Sequence, residues 1–182
     1  TSTKVNTGFN NPELGAAFAI DRVKGLNKLF CAFNTMVKLP IRGGGDPIIG
    51  FAQTDVEFGL RSLGNLRIGL PGGYWVSDIA YRTRFGAPAD ELRYNANASV
   101  RVALHWYVVA LAQTTTGMRN GRPTQIGANY ILNPDYSSYS AQLTTIYKAT
   151  RTRMVQFGFN RELAGRNAGA GTTAIMTIWQ YF

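Results

Sequence analysis

The chain has one cysteine, one histidine and ten acidic residues among its 182 positions. A single Cys31 excludes an intramolecular disulfide framework, so no fold here can depend on one. One histidine, His105, and few carboxylates leave little material for general acid–base or metal chemistry. No uncharged apolar run reaches the length of a membrane-crossing helix. Thr1-Ser2-Thr3-Lys4 does not read as a secretory leader, although processing removes such leaders. There is no block of five like charges, hence no basic tail.

What is present is basic charge and strand-forming sequence. Nineteen Lys and Arg give a formal charge of +9, and the pI is near 10. Fourteen of the nineteen are Arg, whose planar fork suits phosphates and carboxylates. The excess sits at the front and from residue 101 onward, and residues 51–100 are balanced. Such a surface asks for an acidic or polyanionic partner. At 45% hydrophobic and 16% charged, the composition is that of a globular chain.

The front of the chain reads as an amphipathic helix over 12–33. Asn11 serves as N-cap, Pro12 fits the first turn and Glu13 favours its positive end. Leu14, Ala17, Phe18, Val23, Leu26, Leu29, Phe30 and Phe33 recur near helical spacing. Cys31 falls on its apolar side. This helix is expected to lid a β core, lie on a membrane, insert into a partner or face nucleic acid. Residues 1–40 are taken as an N-terminal segment and 41–182 as the main β unit of one compact domain.

After Pro40, turn residues recur every 8 to 15 positions. Candidate strands are 48–58, 65–70, 74–85, 99–113, 128–132, 141–148, 153–159 and 172–182, rich in β-branched and aromatic residues. The absence of βαβ alternation makes the fold class mainly β, an antiparallel β-sandwich or jelly roll with one N-terminal helix. Arg82 and Arg84 share one face of their strand, opposite Tyr81, Thr83 and Phe85. Asp55 and Glu57 share a face too, and partners for such carboxylates are expected in Arg61 or Arg93. The segment 100–111 is apolar on both alternating sets and reads as a strand covered on both sides, with His105 in a core or interface.

Arg42-Gly43-Gly44-Gly45 lacks the ending of a phosphate-binding loop and reads as a turn. Asn97-Ala98-Ser99 matches a glycosylation sequon, a pattern common by chance. No catalytic, metal or cofactor set emerges, and an enzyme is not expected. The candidate binding or interface residues are Arg22, Lys24, Lys28, Arg119, Arg122, Arg151, Arg153, Arg161 and Arg166. Tyrosines interleave them, which suits base stacking beside phosphate contacts or a protein interface.

The order of Val100–Gln113, the turn-rich 114–124, Ile131-Leu132-Asn133-Pro134-Asp135, the basic strand 150–159 and the closing 174–182 resembles the second half of small single-jelly-roll viral coat proteins. Those of small circular single-stranded DNA viruses and plant satellite viruses are the nearest in pattern, over roughly residues 74–182. The resemblance implies a self-assembling subunit in a virion, contacting identical subunits and single-stranded nucleic acid. The Arg-rich N-terminal arm usual in such proteins is missing here, so Arg22, Lys24 and Lys28 would take over part of its work. Two further readings stand beside it: a membrane-active, pore-forming β protein, and a monomeric single-stranded nucleic-acid-binding module.

Overall fold

Nine long strands hydrogen-bond side by side in a single antiparallel sheet in this computed structural model. It describes residues 12–20, 29–39, 53–86, 88–122, 124–126, 130–132, 135–167 and 169–181. The strands are β1 (Glu13–Ile20), β2 (Leu29–Lys38), β3 (Thr54–Leu66), β4 (Leu70–Phe85), β5 (Glu91–Ala103) and β6 (Trp106–Gly117), followed by β9 (Ser137–Lys148), β10 (Arg153–Arg166) and β11 (Thr172–Gln180). A small hairpin, β7 (Thr124–Ile126) with β8 (Tyr130–Leu132), lies between β6 and β9. Every neighbour in the large sheet is the next long strand in the chain, so the topology is a plain meander.

Two expectations fall here. The mainly β class holds, but there is no second layer and no jelly-roll crossover among the described residues. Each long strand lies beside the long strand before it, and only the short β7–β8 pair forms a separate sheet among the described residues. Nor do the described residues of the expected helix form one: β1 and β2 pair antiparallel, from Glu13 opposite Lys38 to Ile20 opposite Cys31, and residues 21–28 lie outside the described residues. The apolar spacing over 14–20 fits either structure, because Leu14, Ala16, Phe18 and Ile20 also alternate with the small residues Gly15, Ala17 and Ala19. Period two wins because strand β2 alternates as well, with Cys31, Phe33, Thr35 and Val37 against Ala32, Asn34, Met36 and Lys38.

The apolar segment 99–113 is likewise two strands rather than one. It turns at Leu104 and His105, and Trp106 comes back opposite Ala103. His105 is therefore exposed in a turn, not in a core.

Register assigns each side chain to a face, since residues directly opposite in an antiparallel pair point the same way. One face, here called outer, runs Leu60, Ile79, Tyr94, Thr114, Tyr139 across five neighbouring strands. The next row along it is Ser62, Ser77, Ala96, Ala112, Ala141 and Arg161. The inner face runs Glu57, Arg82, Glu91 and Gly117 in one row and Gly59, Ala80, Arg93 and Thr115 in the next.

The usual partition of a water-soluble sheet is inverted. On the outer face Met176, Ile178 and Phe159 are 75%, 70% and 65% exposed, whereas inner-face Asp55, Glu91 and Thr144 are 2%, 2% and 1% exposed. The only buried hydrophobic residues among those described are Ala32, Ala80 and Ala89. The enclosed side of this sheet is polar and small-residued over most of its extent, with Tyr107, Val109, Leu111, Ile146, Met154 and Trp179 gathered toward one end, and its open side is largely apolar.

Candidate functional site: a charged inner face and an apolar outer face

The inner face is organised around carboxylates held between arginines. Glu57 on β3 accepts from Arg82 Nε at 2.8 Å and from Arg93 Nη1 at 2.9 Å, bridging three strands. Glu13 on β1 reaches the same Arg82 at 4.0 Å. Asp55 lies 3.7 Å from Lys38 Nζ and accepts from Gln53 Nε2 at 2.9 Å. Arg84 meets Glu91 at 2.5 Å, and Arg61 meets Asp78 at 2.5 Å. The expected pairing of Glu57 with Arg93 is present. Asp55 pairs with Lys38 instead, and both carboxylates are buried rather than on an open surface.

Charges enclosed in this way need partners, because an unpaired buried ion is far costlier than a paired one. The inner face meets that need at Lys38, Arg61, Arg82, Arg84 and Arg93, each beside a carboxylate, whereas Arg101, Lys148 and Glu162 make no ion pair among the described residues. Its bases are Lys38, Arg61, Arg82, Arg84, Arg93, Arg101 and Lys148; its acids are Glu13, Asp55, Glu57, Asp78, Glu91 and Glu162. The chain's large positive excess therefore lies elsewhere.

The outer face carries only Arg153, Arg161 and Arg166 as charges among its described residues. Its centre is a shallow trough of about 880 Å³ floored by alanines such as Ala96, Ala98, Ala110 and Ala112, with Trp75, Tyr94, Leu143 and Phe159 around it. Trp75 covers Gly64 on the neighbouring strand, where a Cβ would lie 2.8 Å from the indole nitrogen. At one end of this face Trp106 and Tyr147 pack with ring centroids 4.8 Å apart. Tyr81, Tyr139 and Phe85 stand toward the other end. From Trp75 to Phe85 along β4 is about 34 Å of strand, or about 26 Å along the normal at the tilt usual in barrels.

The two ends of the sheet also differ. At one, the connections are 67–69, 104–105 and 149–152, with the eight-residue segment 21–28. At the other, they are 39–53, 86–90, 118–136 and 167–171, and two of these are long. The longest is stitched down. Met118 N donates to Asp90 O at 2.8 Å, and Asn120 both donates to the Asp90 carboxylate at 2.7 Å and accepts from its N–H at 2.9 Å. Burial pushes the Asp90 pKa up, but hydrogen bonds from Arg84 N–H, Asn120, Tyr81 and Thr83 outweigh it and hold the carboxyl below its ordinary value. Burial, with a hydrogen bond to Glu91, raises Tyr136 above the usual phenol range.

The arginines singled out in the sequence are not gathered into one site. Arg119, Arg122 and Arg166 stand at the long-connection end; Arg166 donates to Asp135 at 2.8 Å, and Arg119 N–H donates to the same carboxylate at 3.3 Å. Arg119 adopts a positive φ of 63°. Arg151 and Arg153 stand at the opposite end, and Arg151 lies in a turn rather than on a strand. Arg161 lies mid-face on β10, opposite Ala141 and Thr172. Arg22, Lys24 and Lys28, like the Gly43–Gly45 run, lie outside the described residues. Missed in the sequence was the place of Arg82 beside the expected Glu57–Arg93 pair. Its signal was present in the shared faces of Asp55/Glu57 and Arg82/Arg84, but the pairing needs the register of β3, β4 and β5.

No group of His, Cys, Asp or Glu among the described residues is placed to hold a metal ion. Comparison with protein-family models, with curated proteins and with solved structures finds no match.

Proposed function

We propose that this chain is a membrane-inserting, pore-forming β protein, its sheet forming the wall of a transmembrane barrel. The carrying observation is the inverted partition: ion-paired, small and polar side chains dominate the enclosed face and large apolar ones the open face, in period two along most of the nine strands, β6 and β11 departing from it with Val109, Leu111 and Trp179 turned inward. Lipid-facing strands alternate in this manner, with aromatic residues at the two interfaces and connections long on one side and short on the other. The strand lengths suit a bilayer crossed at a tilt. That no described helix is long and apolar enough to cross a membrane is no obstacle, since barrels cross with strands. In this reading the inner face lines the lumen, with its paired charges setting what passes.

A second reading is the self-assembling subunit, virus coat-like, with identical copies covering the apolar face and Arg-rich surfaces meeting nucleic acid. The outer edges of β1 and β11 favour it, because neither pairs with another strand among the described residues and both can continue the sheet into a neighbour. One experiment separates the two. The chain is refolded from denaturant with and without phospholipid vesicles, then treated with protease outside the vesicles. The barrel reading expects flotation with lipid and protection of the strand segments. Large soluble particles formed without lipid, and full digestion in its presence, would favour the shell.

A further inference from the structure

Of the candidates in this molecule, the alanine-floored trough and the Asp90–Asp135 cluster each lack any sign of an occupant. The short-turn end of the sheet has one. Arg67 is exposed in the β3–β4 turn and Arg151 in the β9–β10 turn, and Arg153 follows on the outer face of β10. Among the described residues, the acidic strand positions nearest this end are Asp78 and Glu162, in one row across the sheet, and Arg61 already engages Asp78. Of the inner-face bases near this end, Arg101 donates to the Leu104 carbonyl at 2.7 Å, and neither it nor Lys148 meets a carboxylate among the described residues, so this end holds uncompensated charge.

That charge has a definite position relative to the apolar face. Tyr147 sits opposite Trp106 on one side and Val155 on the other, and Arg153 is the next outward residue beyond Val155. Passing outward along the wall, one meets apolar side chains, then an aromatic belt, then arginine. The turn beyond is ordered: Thr150 Oγ1 accepts from Thr152 N at 3.2 Å and from Arg153 N at 3.0 Å, and Thr150 N donates to Arg153 O at 3.2 Å. Arg153 also donates to Gln180 Oε1 at 2.8 Å, which holds its stem along the outer surface.

We infer that the short-turn rim, through Arg67, Arg151 and Arg153, binds the phosphates of anionic phospholipid headgroups, with Trp106 and Tyr147 at the depth of the interface. This rests on the barrel reading and adds to it a lipid class and a side. Aromatic side chains favour the headgroup level, and cations just beyond meet the phosphate layer. Each base near an anionic surface strengthens binding about fivefold. A polyanion such as single-stranded nucleic acid offers the same phosphates without an apolar layer beside them. The adjoining aromatic belt and apolar face decide for lipid.

The test uses the full chain with vesicles of phosphatidylcholine alone and vesicles that also contain phosphatidylglycerol, read by flotation at low and high salt. Tighter binding to the anionic vesicles is expected, falling with salt, and roughly a hundredfold weaker in the triple variant Arg67→Gln/Arg151→Gln/Arg153→Gln. Arg119→Gln, at the other end, is expected to bind as the unaltered chain does. Circular dichroism in detergent checks that the triple variant keeps its strands. Should it not, the salt and lipid dependence of the unaltered chain decides. Equal binding to both lipids with protease protection intact removes this inference and leaves the barrel standing. Absence of insertion into either vesicle removes both. Preferential capture of a single-stranded oligonucleotide over anionic vesicles, lost in the triple variant, assigns the rim to nucleic acid and overturns the inference.

Discussion

Single positions in this sheet are constrained mainly by what the enclosed face can hold. A Cβ at Gly158 on the inner face of β10 would run into the Leu143 carbonyl and Thr144, so only glycine fits there without moving the neighbouring strand. At Gly69, in the β3–β4 turn, φ is 76°, a region that other residues enter only with strain. Glu57 is the position with the clearest consequence. Its side chain and that of Arg82 are each 11% exposed, and Arg93 is 34% exposed. Glu57→Ala leaves two guanidinium groups without their shared carboxylate, and the expected cost is about 3 kcal/mol, the low end for a broken buried pair because Arg93 reaches water. The urea midpoint of the detergent-folded protein checks this. Glu57→Gln, which still accepts from Arg82, is expected to lose less. A loss below about 0.5 kcal/mol for Glu57→Ala would mean that the inner face is openly hydrated.

At the scale of elements, alternation decided more than helical spacing. Residues 14–20 are almost uniformly apolar, so they satisfy a helical stripe and a strand face equally well. The choice fell to the hairpin partner, since β2 buries Ala32 and leaves its Phe33 beside Phe58 at 6.4 Å between ring centroids. The same ambiguity hid the turn at Leu104 and His105, because both alternating sets around it are apolar. Strand β4 carries the sharpest element-level prediction. Ile79 stands mid-strand on the outer face between Leu60 and Tyr94. Ile79→Arg is expected to weaken insertion by about 2–4 kcal/mol, the cost of a cation facing lipid near the midplane. Gln113→Arg, on the inner face of β6, is expected to change it little. Vesicle flotation at graded lipid concentrations measures both, and equal effects of the two would contradict the assignment of faces.

For the whole molecule, the open question of physics is coverage. Nine strands at about 4.8 Å spacing make a wall about 43 Å across, so the apolar band is on the order of 1,000 Å², well above what soluble monomers expose. Among the described residues β1 and β11 end the sheet with unpaired outer edges, and they run in the same direction, being first and ninth in an alternating series. Closure on itself would give a parallel seam, and closure through copies shares the wall. Ala17→Cys on β1 and Ile175→Cys on β11, in a Cys31→Ser background, place a thiol on the inner face of each edge. A short bis-maleimide is expected to link them in vesicles and not in denaturant. A product of one-chain mass reports self-closure, and one of two-chain mass reports a shared wall. Edges that stay unlinked in lipid would argue against a closed barrel.

Composition and local pattern alone determined that this chain is mainly β, strongly basic and able to dispense with disulfides, since these follow from residue type and period two. They also placed Asp55 with Glu57, and Arg82 with Arg84, on shared faces. They did not determine which face is enclosed. An alternating strand reads the same whether its apolar side meets a core or a bilayer, and the jelly-roll expectation came from assuming the core. Only the register of the assembled sheet sets Glu57 between Arg82 and Arg93 and so turns the charged side inward. That decision belongs to the tertiary structure because ion pairs across three strands exist only once those strands are aligned.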